Sequence, residues 1–217
     1  MNKVGRIVLV SVIVLGMIVI AGFGAFVWRV NNVGHPDYTS VETDGDIEIR
    51  DYPSLVVAEV TREGDRANAV RRGFGPLAGY IFAKERDGDR IEMTAPVTQR
   101  RREPIGMTAP VTQTPAASSG SWAIRFIMPA NHSLETLPKP VRSDVRLAKL
   151  PEQRRAVIRF SGVTTNELIE AKESALRKWL MGRGLRPNGP PTYAYYNHPL
   201  TPGFLRRNEV MFDVAND

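Results

Sequence analysis

The 217-residue sequence contains no cysteine, only three histidines, and no acidic residue before Asp37. Without cysteine there is no disulfide scaffold, thiolate nucleophile, thiolate-ligated metal centre or lipidated anchor cysteine. His35, His132 and His198 stand apart, none at metal-ligand spacing from another histidine or a carboxylate, so the usual zinc patterns are missing. Also missing are a G-x-S-x-G elbow, a phosphate-binding loop and a complete dinucleotide fingerprint. Gly73-Phe74-Gly75 is a partial G-x-G inside a helical pattern and reads as a site of close helix packing. The acids are scattered, with no spacing that suggests a carboxylate pair. Nothing here argues for catalysis, and the chain is expected not to be an enzyme.

What is present is uneven. From Ile7 to Trp28 the chain runs 22 residues without a charge. At ~1.5 Å per residue such a helix spans roughly 33 Å, enough for a hydrocarbon core of about 30 Å. The expectation is a cytoplasmic N-terminus at 1–6, a transmembrane anchor at 7–28, a linker at 29–40 and a domain at 41–215. Lys3 and Arg6 precede the run, which puts the N-terminus in the cytoplasm and the domain outside the inner membrane. A cleaved signal peptide is the competing reading, with Gly22-Phe23-Gly24 as a weak cleavage site, although the run exceeds the usual apolar region of about 7–15 residues. The net charge of +6 shrinks accordingly. Lys3, Arg6 and Arg29 flank the run, and the remainder has 26 basic residues against 23 acidic. Arg100-Arg101-Arg102 is the one dense basic stretch and has no interleaved aromatics for base stacking, so no nucleic-acid partner is expected. No protein partner can be named from the sequence.

Within the domain, β-branched and apolar residues from Ile47 to Val60 form two strand pieces separated by Tyr52-Pro53. Asp65 caps a helix whose apolar positions Ala67, Val70, Phe74, Leu77 and Ile81 recur three or four apart, with a kink expected at Gly73-Gly75-Pro76. A strand is expected from Arg90 to Gln99. Ile91–Gln99 recurs as Ile105–Gln113 with eight of nine residues identical, a local duplication too short for a solenoid. Trp122–Met128 and Arg154–Ser161 read as strands around a proline-punctuated, loop-rich middle. Thr164-Thr165-Asn166-Glu167 is a capping box for a second helix, supported by the Glu173/Arg177 pair, and short strands close the chain at Tyr193–Tyr196 and Val210–Val214. The order strand, helix, strand, strand occurs twice, which indicates an α+β domain of two βαββ halves with two helices on mostly antiparallel sheet.

Six segments then carry a resemblance: Ile47–Pro53, Phe74–Ile81, Met93–Val97, Phe126–Pro129, Phe160–Gly162 and Arg206–Val210. Their residues and order resemble the SOUL haem-binding protein family, and the doubled Met-Thr-Ala-Pro-Val resembles its bacterial branch. The resemblance implies a distorted β-barrel with two flanking helices. It also implies non-covalent binding of haem or a related tetrapyrrole in a shallow apolar cleft beside the first helix. Arg71 matches a helix arginine placed to meet a propionate, and Phe74, Leu77 and Ala78 match apolar cleft positions. The periodicity offers a different reading of the same residues: Phe74 and Leu77 lie on the stripe that buries the helix on the sheet, and Arg71 beside Arg72 fits a solvated face. At the family's axial histidine position this chain has Asp51. His198 is a weak candidate for a replacement ligand, and the metal ligand is otherwise unassigned. Weak tetrapyrrole binding in a carrier or buffer role is therefore expected. A scaffold or interaction domain that has lost haem affinity is the alternative. A small-molecule enzyme is a lesser one, suggested by a distant similarity of the fold to effector-binding domains of multidrug-responsive regulators.

Overall fold

The computed structural model describes residues 11–18, 21–25, 34–101, 120–198 and 201–215. In chain order the elements are β1 (Thr39–Asp44), β2 (Ile47–Tyr52), β3 (Leu55–Glu63), α1 (Arg66–Ile81), β4 (Val97–Arg101), β5 (Ser121–Ile127) and β6 (Arg146–Leu150). There follow β7 (Gln153–Phe160), α2 (Asn166–Gly182), β8 (Thr192–Tyr195), a short 3-10 turn (Gly203–Leu205) and β9 (Asn208–Asp213). All nine strands join one curled antiparallel sheet in the order β1-β2-β7-β9-β8-β4-β5-β3-β6. Among the described residues β1 and β6 are its free edges, so the expected barrel is a half-barrel.

The duplicated plan is visible in the pairing. β3-α1-β4-β5 and β7-α2-β8-β9 each place their three strands side by side, and β4 pairs with β8 to join the halves. The strand preceding each half crosses over: β2 pairs with β7, and β6 pairs with β3.

One face of the sheet is buried under the two helices. Leu77 and Ile81 of α1, and Leu176 and Leu180 of α2, meet Ile124, Phe126, Val210 and Phe212 of the sheet. Asp65 caps α1 through the Asn68 backbone N–H at 2.9 Å. The helix runs unbroken through Pro76. A proline there leaves the Arg72 carbonyl without its helical donor, and the Arg62 guanidinium reaches that oxygen at 3.5 Å. The cap of α2 is Thr165, one residue later than the box spacing suggested, while the Glu173–Arg177 pair forms at 2.9 Å.

Gly73 is the close approach that the sequence suggested. A Cβ there would stand 3.0 Å from both Cβ and Cγ1 of Ile124. Overpacking of this kind costs about 1–3 kcal/mol, and the better helix propensity of alanine returns about 1 kcal/mol. Gly73→Ala is therefore expected to lower the melting temperature by roughly 2–4 °C, read by thermal unfolding; an unchanged or raised melting temperature would show that Ile124 moves aside freely.

Other departures from expectation have local causes. The strand expected from Arg90 begins only at Val97, because Pro96 has no N–H for a ladder. Strand β1 starts in the expected linker 29–40 and continues into the domain, and β6 lies in the loop-rich middle; neither was expected as a strand. Both are edge strands: every β1 residue is exposed, and the partly buried residues of β6 do not alternate. The second copy of the nine-residue repeat lies outside the described residues. Of the expected span 7–28, residues 11–18 and 21–25 are helical and exposed, and the rest lies outside the described residues. Among the described residues no helix is long and apolar enough to cross a membrane.

The opposite face of the sheet carries charge. Arg50 of β2 and Glu209 of β9 are each 1% exposed and meet at 3.1 Å. Glu48 and Tyr52 also hold Arg50, while Arg207 and the Tyr196 hydroxyl hold Glu209. Residues 34–38 lie across this cluster as a strap. The Gly34 carbonyl accepts the Ala95 N–H at 2.8 Å, the His35 ring lies 5.5 Å from that of Tyr196, and the Arg50 guanidinium stacks 4.4 Å from the centre of the Tyr38 ring.

Candidate functional site

A cleft of about 440 Å³ opens at the seam where β4 and β8 join the halves. The first half of α1 forms one wall with Ala67, Val70 and Phe74, and Val97 and Tyr195 form the floor. The volume lies within the ~300–1,000 Å³ typical of small-molecule sites. The helix supplies its wall because residues 67, 70, 71 and 74 share the face beside the buried stripe of Ala69, Gly73 and Leu77. The floor follows from strand alternation: Val97 is directly paired with Tyr195, so both point to the helix side.

Three guanidinium groups belong to the cleft. Arg66 is already engaged, donating to the Tyr195 hydroxyl at 2.7 Å, the Asn166 side chain at 2.9 Å and the Thr164 carbonyl at 3.2 Å. Arg206 donates to the Thr201 carbonyl at 2.7 Å. Arg71 is exposed at the rim and donates to Asn68 on its own helix, a contact that a ligand carboxylate can replace without disturbing the core.

Two of the four residues expected to line the cleft do so, Arg71 and Phe74. Phe74 is 39% exposed, with its ring edge-on to Phe126 at 5.2 Å, so it is both cleft wall and core lid. Leu77 and Ala78 do not line the cleft. Leu77 is completely buried and Ala78 nearly so, because one further helical turn carries them over the sheet. His198 is exposed and is not among the lining residues. Asp51 is also elsewhere, in a two-point ion pair with Arg154 at 2.7 and 2.8 Å, so the residue at that position has no bearing on the cleft. Met93 packs against the main core.

Sequence reasoning named only Arg71 and Phe74 of the lining, and the polar residues it missed include Arg66, Tyr195, Arg206 and Asn208. The recurring strand tyrosines were a signal for Tyr195, and the Arg206–Val210 segment contained Asn208. Strand alternation divides that segment: Arg206 and Asn208 face the cleft, and Arg207 and Glu209 enter the buried charge cluster behind it. Four of the six segments that carry the resemblance therefore meet around the seam and the charge cluster. This convergence agrees with the match of residues 33–213 to the SOUL haem-binding protein model.

The chain belongs to the SOUL haem-binding protein family. Its members are binding domains. A comparison with curated proteins finds no match. Among solved structures, the SOUL domain is similar to the C-terminal domain of EcmrR, with a TM-score of 0.56 at 12% identity, covering 83% of this chain and 99% of that one. It is also similar to a hydrolase from Listeria innocua, with a TM-score of 0.56 at 12% identity, covering 81% and 94%. Identities this low establish a shared fold and nothing about chemistry.

The cleft fits the organic part of a haem better than its iron. It offers an apolar wall and cationic groups suited to propionates. Among the described residues none of those lining it is histidine, methionine or cysteine. Among them Tyr195 offers a possible iron-ligating oxygen, and burial pushes its hydroxyl above the ordinary tyrosine range. At neutral pH it is a phenol, with Arg66 donating to it and the Gln99 side-chain oxygen 3.4 Å away.

Proposed function

We propose that this SOUL protein is a membrane-anchored, extracytoplasmic domain that binds haem or a related tetrapyrrole non-covalently and weakly, as a carrier or buffer. The observation that carries the proposal is the cleft at the β4–β8 seam, where an apolar helix wall of Ala67, Val70 and Phe74 adjoins the guanidinium of Arg71. The anchor rests on the uncharged run 7–28, of which Val12, Leu15 and Ile18 are more than 60% exposed on helical backbone. Burying about 300 Å² of apolar surface contributes about 7 kcal/mol before association costs. Without an axial ligand this corresponds to micromolar affinity at best.

Haemin and metal-free protoporphyrin are expected to titrate the cleft alike, each with a saturable absorbance shift, since no lining residue ligates iron. Arg71→Glu should weaken both at least several-fold. A titration indistinguishable from that of a non-binding control protein would overturn the proposal. Such a result would favour the second reading, an interaction domain of the same fold without haem affinity, which the absence of an iron ligand among the lining residues supports.

A further inference from the structure

A second surface next to the cleft is built for a different contact. The 3-10 turn Gly203–Leu205 packs against the loop before α2. The Gly203 carbonyl accepts the Gly162 N–H at 2.9 Å, and a Cβ on Gly203 would lie 3.1 Å from Val163. The result is a fixed knob with Phe204 77% exposed, Val163 57% and Leu205 43%. These large apolar groups are held out in water by a hydrogen-bonded turn and, among the described residues, stay largely exposed. On one side the knob borders the cleft, through Thr164 and Arg206. On the other it borders a wider recess where Arg159, Lys172, Arg206 and Arg207 outnumber Asp46 and Glu48.

The knob lies at the tethered end of the domain. The strap pins His35 against Tyr196, and the Arg207 guanidinium stacks on the same ring, 4.1 Å from its centre. Phe204 is only three residues before Arg207. From Trp28, where the apolar run ends, to Gly34, where the strap is held, are six residues, or at most about 21 Å of extended chain. An anchored chain thus keeps the strap close to the bilayer, with the knob on the same side.

We infer that Val163, Phe204 and Leu205 dock into the interface of an anionic lipid bilayer, the basic residues beside them meeting its phosphates, so that the cleft mouth opens at the membrane surface. An exposed apolar tip flanked by arginine and lysine matches the chemistry of an anionic interface, apolar groups entering the headgroup boundary and cations remaining at the phosphates. A tetrapyrrole dissolved in the bilayer would then reach the cleft past Thr164 and Arg206 without crossing bulk water. The inference rests on the anchored reading above for its orientation.

The absence of cysteine makes the test direct. The full chain, reconstituted in lipid vesicles, is labelled with an environment-sensitive fluorophore at Phe204→Cys or at Met181→Cys. Met181 is 70% exposed near the C-terminal end of α2, about 22 Å along the helix axis from its start at Asn166 beside the knob. In vesicles containing phosphatidylglycerol, the label at 204 should be quenched by headgroup-nitroxide lipids several-fold more than the label at 181. Phosphatidylcholine vesicles or high salt should reduce that difference, as should Arg159→Glu combined with Lys172→Glu. Equal quenching at both positions overturns the docking. Contact between labels at 204 on two copies, with no lipid quenching, assigns the knob to self-association and overturns it as well. Extraction at alkaline pH reports on the anchor separately: chain that washes off overturns the anchored reading, while quenching before the wash still decides the docking.

Discussion

Glu209→Ala should cost the domain about 3–5 kcal/mol, the range for removing one partner of a buried ion pair. Arg50 is 1% exposed and would keep only Glu48, at 2.8 Å, as its carboxylate partner. The substitution would also deprive Arg207 and the Tyr196 hydroxyl of their acceptor. Total stabilities of about 5–15 kcal/mol make this a large fraction of the whole. The double variant Arg50→Met with Glu209→Leu should recover part of the loss, because it replaces the desolvated Arg50–Glu209 pair by apolar groups while Arg207 and the Tyr196 hydroxyl still lack their acceptor. Denaturant unfolding of the wild type, the two single variants and the double variant gives the coupling directly. Losses below about 1 kcal/mol in both single variants would show that the cluster is hydrated and energetically minor.

Leu77→Ala is expected to lose about 2–5 kcal/mol of stability, with tetrapyrrole affinity of the folded protein unchanged. Phe74→Ala should do the reverse. Its ring is 39% exposed, and its main core contact is the edge-on meeting with Phe126, a contribution of about 0.5–1.5 kcal/mol beyond area burial. Removing it takes away part of the cleft wall, and affinity for protoporphyrin should fall several-fold. The two positions lie one helical turn apart, yet one is core and the other is site. Equal effects of both substitutions on affinity would place the ligand deeper, beneath α1, and overturn the cleft described above.

This contrast shows what was legible in the sequence. Periodicity places Phe74 and Leu77 on one stripe, and a stripe is wide enough to include both the buried line and its margin. Only the seam between β4 and β8, formed by segments about a hundred residues apart, determines which side of that stripe faces the opening. The motifs were visible for a similar reason. Arg50 and Glu209 stand in segments recognisable by themselves, while their contact across 159 residues is a property of the fold. Helix caps, the Gly73 approach and the duplicated order of elements depend on local chemistry and were readable. The edge strands β1 and β6 were not, since β1 is exposed on both faces and the partly buried residues of β6 do not alternate.

The exchange of leading strands between the halves bears on how the molecule assembles. Because β2 completes the sheet of the second half and β6 that of the first, neither half is finished by its own residues. The pairing of Ile47 with Ile158 must close a long loop before either half is complete, the kind of non-local contact that slows folding and discourages partial intermediates. The two halves therefore behave as one cooperative unit, interlocked in the manner of a swapped dimer within a single chain. The seam that carries the cleft therefore joins two halves, each completed at its outer side by a strand that belongs, in sequence, to the other.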